Sequence, residues 1–194
     1  MEVIAVPFTF NTDLVSQKAY DEHLTLYHGY VSKTNEITQK LAANPDLASA
    51  NSTYSTYRAL KRGESFALDG VILHELYFQN LGKGETSTGH HTVKMIEKYF
   101  DAFDKWKAEF IASALSARGW CILAYEQRTQ TCRNIVLDSH DDGLVCGSYP
   151  ILVLDMYEHA YFTDYGTDKA KYINKFLDLA NWDIVERRCA RLVA

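Results

Sequence analysis

Asp155 and His159 stand four residues apart, directly behind the apolar run Ile151–Leu154. A short apolar run of this kind reads as a buried strand. The chain would leave that strand at Asp155 and enter a helix carrying His159, which delivers a carboxylate and an imidazole to one point. Oxygen and nitrogen donors of this type suit zinc, manganese or iron. Taken alone, such a pair is more often a helix cap and a surface group, so its meaning depends on which other imidazoles face the same place. Of the seven histidines, two fall on inward helix faces. His23 recurs with Tyr20, Tyr27, Tyr30 and Thr34 at spacings of three and four, which places them on one face. His74 lies between Gly70 and Phe78 on a stripe that also holds Ala67, Val71 and Tyr77. A single histidine on an apolar face is usually a hydrogen-bonded core residue. Two of them on partner helices, together with Asp155 and His159, offer three neutral nitrogens and one carboxylate. That set suits a redox metal with one position open for solvent or substrate.

The elements that must position these groups can be read from periodicity and punctuation. Ser16 can cap a helix running from Gln17 towards Leu41, which Asn44-Pro45 ends. The polar stretch Asn51 to Gly63 is expected to hold a short helix, and a second long helix is expected from Glu64 to Leu81. Gly82 to His91 (GKGETSTGHH) reads as a linker rich in turn-forming residues. His90 and His91 are expected to be solvated there. A third long helix is expected from Thr92 to Arg118, with Ile96, Phe100, Phe103, Phe110 and Leu115 apolar. Strand-like runs follow at Trp120–Tyr125, Asn134–Leu137 and Ile151–Leu154, and the helical segments Lys169–Leu179 and Trp182–Arg191 close the chain. The fold class read from this order is α+β: a long N-terminal helical hairpin (residues 1–84), then a C-terminal α/β lobe (90–194) with a small three-stranded antiparallel sheet. The metal site is expected between the two.

Composition narrows the function further. The chain has 194 residues, 47% of them hydrophobic, and a formal net charge of -5. No basic stripe accompanies the aromatics, so nucleic acid is not an expected partner. No run of eighteen or so apolar residues suggests a membrane span, and the N-terminus lacks the pattern of a secretion signal. The cysteines Cys121, Cys132, Cys146 and Cys189 form no C-x-x-C pair. Free thiols and a cytoplasmic location are the expectation, with no disulfide between Cys132 and Cys146.

Several segments together resemble the iron/manganese superoxide dismutases over nearly the full length. Asp155-Met156-Tyr157-Glu158-His159-Ala160-Tyr161 is close to that family's D-x-W-E-H-A-Y. Asn181-Trp182 with Glu186-Arg187, Arg118-Gly119-Trp120, His74-Glu75-Leu76-Tyr77-Phe78, and Tyr30-Val31 with Asn35 resemble other family segments. The resemblance implies that His23, His74, Asp155 and His159 hold one iron or manganese ion per subunit, with iron slightly favoured. His28 is the competing candidate for the first ligand. It falls about 160° around the helix from Tyr30, whereas His23 falls about 20° away, which favours His23.

The resemblance further implies conversion of superoxide to oxygen and hydrogen peroxide, with Tyr30 as gate and proton relay. A homodimer through the Glu158 and His159 region is implied as well, and Lys169 is the nearest counterpart of a cation that guides superoxide. There are departures. Tyr27 is the better facing of two residues, Leu26 and Tyr27, at the place of the family's gateway histidine. Phe162, Phe78 and Tyr157 replace aromatic residues usual there. Gly70 occupies one of the two places from which a side chain reaches the metal-bound solvent, so His140, at the other, is expected to make that contact. The alternatives are another mononuclear non-haem metalloenzyme, or a metal-binding protein of the same fold without dismutase activity.

Overall fold

The computed structural model describes residues 2–43, 45–82 and 90–192, His90 by its backbone alone. Helix α1 spans Gln17–Ala42 and is capped by Ser16, whose hydroxyl accepts from the Ala19 amide at 3.3 Å. Asn44 lies outside the described residues, as does most of the linker expected at Gly82–His91. Helix α2 spans Thr56–Leu81. The short separate helix expected before Gly63 is therefore the first part of α2. Ser55 caps it by accepting from the Arg58 amide at 3.0 Å. Gly63 does not interrupt the helix, because a hydrogen bond ladder on both sides carries it and Ile37 of α1 packs over the gap its missing side chain leaves.

The third long helix is two helices, α3 (His90–Phe100) and α4 (Phe103–Ser116). Asp101 breaks the run with φ 67, a left-handed conformation that Asp tolerates better than most residues. The new direction of α4 buries Trp106, Phe110 and Ala114 and leaves Leu115 47% exposed, against its expected place on the apolar face.

Three strands follow: β1 (Trp120–Glu126), β2 (Thr131–Leu137) and β3 (Ser148–Asp155). They form one antiparallel sheet in the order β2-β1-β3. Its register sets Trp120 opposite both Leu137 and Asp155, so the end of the sheet gathers residues from all three strands beside the prospective metal ligand. Helices α5 (Glu158–Tyr165), α6 (Lys169–Leu179) and α7 (Trp182–Ala190) complete the described chain. Asp168 and Asn181 cap the last two. Helix α2 packs on α1 and on β3, and α4 packs on β1 and β2. Arg188 of α7 clamps this arrangement. Its guanidinium donates to the Ile151 carbonyl (2.7 Å), Gln79 Oε1 (2.8 Å), the Leu76 carbonyl (3.2 Å) and Asn80 Oδ1 (3.3 Å).

The turn between β2 and β3 folds back tightly. Gly143 has φ +109, and a Cβ there would lie 2.6 Å from the Val136 carbonyl oxygen. Gly143→Ala is therefore expected to destabilise the fold by more than about 1 kcal/mol and to lower Tm by several degrees. Thermal unfolding checks this, and a Tm within about a degree of the parent would contradict it.

Candidate metal centre

Each prospective ligand is set by a different local rule. His23 and His74 face one another because the apolar stripes of α1 and α2 pack together, and their rings lie 5.0 Å apart. Asp155 ends β3, and its Oδ1 accepts the Tyr157 amide at 2.8 Å, which turns the chain into α5 and brings His159 back over the carboxylate. Asp155 Oδ2 then lies 3.1 Å from His23 Nε2, 3.2 Å from His159 Nε2 and 3.9 Å from His74 Nε2. One ligand atom from each of the four residues falls within 4.8 Å of all the others. Metal bonds of about 2.0–2.2 Å put opposite ligands roughly 4.2 Å apart, so this set converges on one ion. The structure brings His23, His74, Asp155 and His159, the four residues singled out in the sequence, to one place. His28 is exposed on the far side of α1.

The hydrogen bonding shows what kind of group the site fits. His74 Nδ1 lies 2.6 Å from the Gly70 carbonyl, which can only accept, so Nδ1 carries the proton. Its Nε2 is then a bare lone pair, fully buried, facing a carboxylate and without a hydrogen-bond partner. His23 Nε2 is near Asp155 but off the angle of a hydrogen bond, and it too is buried without a partner. A buried polar atom left unpaired costs about 1–3 kcal/mol, and lone pairs that converge on a carboxylate are stabilised by a cation. The donor set therefore fits an iron or manganese ion. Burial lowers the pKa of His23, and burial together with the neighbouring His23 lowers that of His74 to about 3, so both are neutral ligands at pH 7. Burial alone would raise Asp155, but the imidazoles of His159 and His23 outweigh it and hold the carboxyl well below its usual range, ionised.

Beside this set stands a second group. His140, 1% exposed, sits in the turn after β2 with its Nδ1 2.9 Å from the Trp120 indole nitrogen and its Nε2 2.8 Å from the Tyr30 hydroxyl. An indole N–H only donates, so His140 Nδ1 accepts. The neutral ring then carries its proton on Nε2 and donates to Tyr30. Tyr30 keeps its own proton free for a partner other than His140. The Tyr30 ring lies 5.2 Å from that of His74. Gly70 is needed for this approach, since a Cβ there would come within 2.9 Å of the Tyr30 ring. Sequence reasoning singled out Tyr30 and His140 but missed Trp120 as the donor that orients His140. It also missed the Tyr172 hydroxyl, which donates to the Asp155 carbonyl at 3.0 Å and meets Tyr77 at 2.9 Å. Tyr27 turns elsewhere. Its oxygen accepts the Val6 amide, and its hydroxyl donates to Glu75, each at 2.8 Å. Glu158 is exposed at the start of α5, with Phe162 half exposed one turn on. Lys169 opens α6 with its ammonium 5.9 Å from the Tyr161 ring centre.

Burial lowers the His140 pKa from 6.5 to about 4. A histidine whose folded pKa is depressed weakens the fold as pH falls through its unfolded value, because the unfolded chain binds the proton first. The metal-free protein is expected to lose Tm steadily from about pH 6.5 towards pH 4, and His140→Gln to flatten that slope. Thermal melts across this range check it, and identical slopes for the two proteins would contradict it.

Comparisons with known proteins agree with this geometry. Residues 88–188 match the family model described as iron/manganese superoxide dismutases, C-terminal domain. Superoxide dismutase [Fe] of Aquifex aeolicus is 40% identical over 184 residues, covering 92% of this chain and 85% of the relative. Superoxide dismutase [Mn] 1 of Halobacterium salinarum is 33% identical over 184 residues, covering 91% of this chain and 90% of the relative. Superoxide dismutase [Mn/Fe] of Aeropyrum pernix is 31% identical over 192 residues, covering 94% and 88%. With a convergent His23, His74, Asp155 and His159 set at its centre, the chain belongs to the iron/manganese superoxide dismutase family.

Proposed function

We propose that this protein disproportionates superoxide at a single iron or manganese ion held by His23, His74, Asp155 and His159. The observation that carries this reading is the buried lone pair of His74 Nε2 directed at an ionised Asp155, a pairing that calls for a cation. When bound, the ion supplies a one-electron couple, so that two superoxide anions and two protons become dioxygen and hydrogen peroxide. The residues supply the rest. Asp155 gives the site one negative charge, and the three imidazoles give neutral nitrogens. Tyr30 is half buried, its oxygen is fixed by His140 Nε2–H, and its free O–H is the group placed to hand a proton to the reacting oxygen. His140, held by Trp120, sets the direction of that hydrogen bond. With both ring nitrogens engaged it has none left for solvent at the ion, so the direct contact expected from the sequence gives way to one that passes through the Tyr30 hydroxyl. We also propose iron over manganese, since the iron-named relative of Aquifex aeolicus is 40% identical and the manganese-named relative of Halobacterium salinarum 33%.

The test is metal analysis of protein produced in iron-only and manganese-only medium, with superoxide consumption measured on each form. Rapid consumption by a form carrying one ion per chain is expected. Full occupancy without consumption in either form would overturn the activity and leave a metal-binding protein. We further propose that the protein is a homodimer joined through the region of Glu158 and His159. The support is an exposed carboxylate and an exposed Phe162 on one short helix whose other face holds a metal ligand, a surface that two copies could share about a two-fold axis. Light scattering is expected to give twice the chain mass of 22.1 kDa, and Glu158→Ala to shift the balance towards monomer.

A further inference from the structure

Among the described residues around the centre, His140 and Tyr157 stand on irregular backbone, and His140 is the one bonded to Tyr30. His23 and Tyr30 are on α1, His74 is on α2, Asp155 ends a strand and His159 is on α5. The His140 turn holds itself together through the Asp138 amide, which donates to the Asp142 carbonyl at 3.1 Å, and a bridge between Ser139 and Asp142. Neither contact ties the turn to the helical hairpin, where Tyr30 lies 110 residues away in sequence. Asp141 does. Its carboxylate is 7% exposed and its Oδ2 meets Arg62 Nη2 at 3.0 Å and the Ser65 hydroxyl at 3.2 Å, both on α2. Its Oδ1 accepts the Ser139 hydroxyl at 3.1 Å within the turn. Phe66, next to Ser65, puts its ring 4.6 Å from the His140 ring.

We infer that the Arg62–Asp141 pair is a latch that positions His140 against Tyr30, and that Arg62 and Asp141 are positioning residues for the reaction at the metal centre. Two features lift this pair above an ordinary surface ion pair, which contributes little. One partner is buried and takes two hydrogen bonds beside the ion pair, so its loss or its isolation is felt by the turn. In addition, Asp69 of α2 is close enough that the Asp141 charge helps raise its pKa, burial being the larger cause. Without Arg62, the turn would dock one carboxylate beside another. The cation of α2 thus turns an unfavourable approach into a favourable one. It does so at the residue adjacent to His140, so a released Asp141 lets the His140 ring move away from the Tyr30 oxygen.

This inference rests on the dismutase reading, and the test separates the two. Metal-loaded full-length protein is compared with its Asp141→Asn, Arg62→Met and Arg62→Lys variants, each also in a His140→Ala background. Turnover, metal content, Tm and the reduction potential of the bound ion are measured. Asp141→Asn and Arg62→Met are expected to lower turnover about tenfold at unchanged metal content, within the range for groups that orient residues around a metal, and to shift the potential. Arg62→Lys is expected to restore most of both. In the His140→Ala background the same changes are expected to have no further effect on turnover, the signature of residues acting through one another. Arg62 is 63% exposed, so its variants report on the latch even if Asp141→Asn does not fold. A lowered Tm with unchanged turnover and potential would overturn the latch, as would an equal loss of turnover with and without His140. The potential reads the surroundings of the ion whether or not superoxide is consumed, so an inactive parent protein would strike the functional reading and leave the latch testable.

Discussion

Asp155→Asn is expected to empty the metal centre. The substitution preserves shape and keeps an oxygen able to accept the Tyr157 amide, now 2.8 Å from Oδ1, so the turn into α5 survives. It removes the one negative charge at the meeting point of three imidazoles. Without that charge, three neutral nitrogens must hold a divalent or trivalent ion unaided, and the asparagine amide would present either a dipole or an N–H towards it. Groups that merely orient ligands change metal affinity about 10–100-fold, and a charged ligand is worth more. A loss of affinity above a hundredfold and superoxide consumption near background are therefore expected. Metal analysis after dialysis and rapid-mixing kinetics check both, and an Asp155→Asn variant that retains one ion per chain and normal turnover would remove Asp155 from the ligand set.

Trp120→Phe is expected to damage catalysis while sparing the metal. The Trp120 ring packs edge-on against that of His74, 5.1 Å away, and its indole N–H is what forces His140 to accept at Nδ1. With that donor gone, the ring is free to carry its proton on Nδ1 and to accept at Nε2 from Tyr30. The Tyr30 proton would then point at His140 and away from the reacting oxygen. A fall in turnover of roughly 10–100-fold with full metal occupancy is expected. Stability falls as well, because Trp120 is wholly buried and a smaller ring leaves a cavity. Turnover unchanged after the loss of Tm is allowed for would show that the indole only packs.

How much of this was legible in the sequence depends on how local each feature is. His23 and His74 could be picked out because helical periodicity places them on apolar faces, and the faces pair as expected. Asp155 and His159 were legible because four residues around a strand end and a helix start determine their meeting. The strand runs were found, though β2 begins at Thr131 and not at Asn134, since Thr131, Cys132 and Arg133 pair with β1 without forming an apolar run. The break at Asp101 was missed because neither Gly nor Pro marks it. The early start of α2 was missed because its first turns are polar and exposed, so no stripe announces them. Trp120 was noted for its position, but its bond to His140 depends on a strand register and a turn that together join residues 20 apart. Asp141 and Arg62 lie in polar stretches where charge has no periodic signal, so only the folded arrangement pairs them.

The sheet, the turn and the two long helices also fix an order of events. Tyr30 and His140 are separated by 110 residues, and the Tyr165 hydroxyl donates to the Leu14 carbonyl across 151 residues. At a synthesis rate of about 5–20 residues per second, roughly 5–20 s pass between the appearance of Tyr30 and that of His140. His23 and His74 are made early but have no carboxylate to share until β3 is complete. The four ligand groups therefore meet only once β3 and α5 have been made, so the complete site forms later than the helical hairpin that carries half of it.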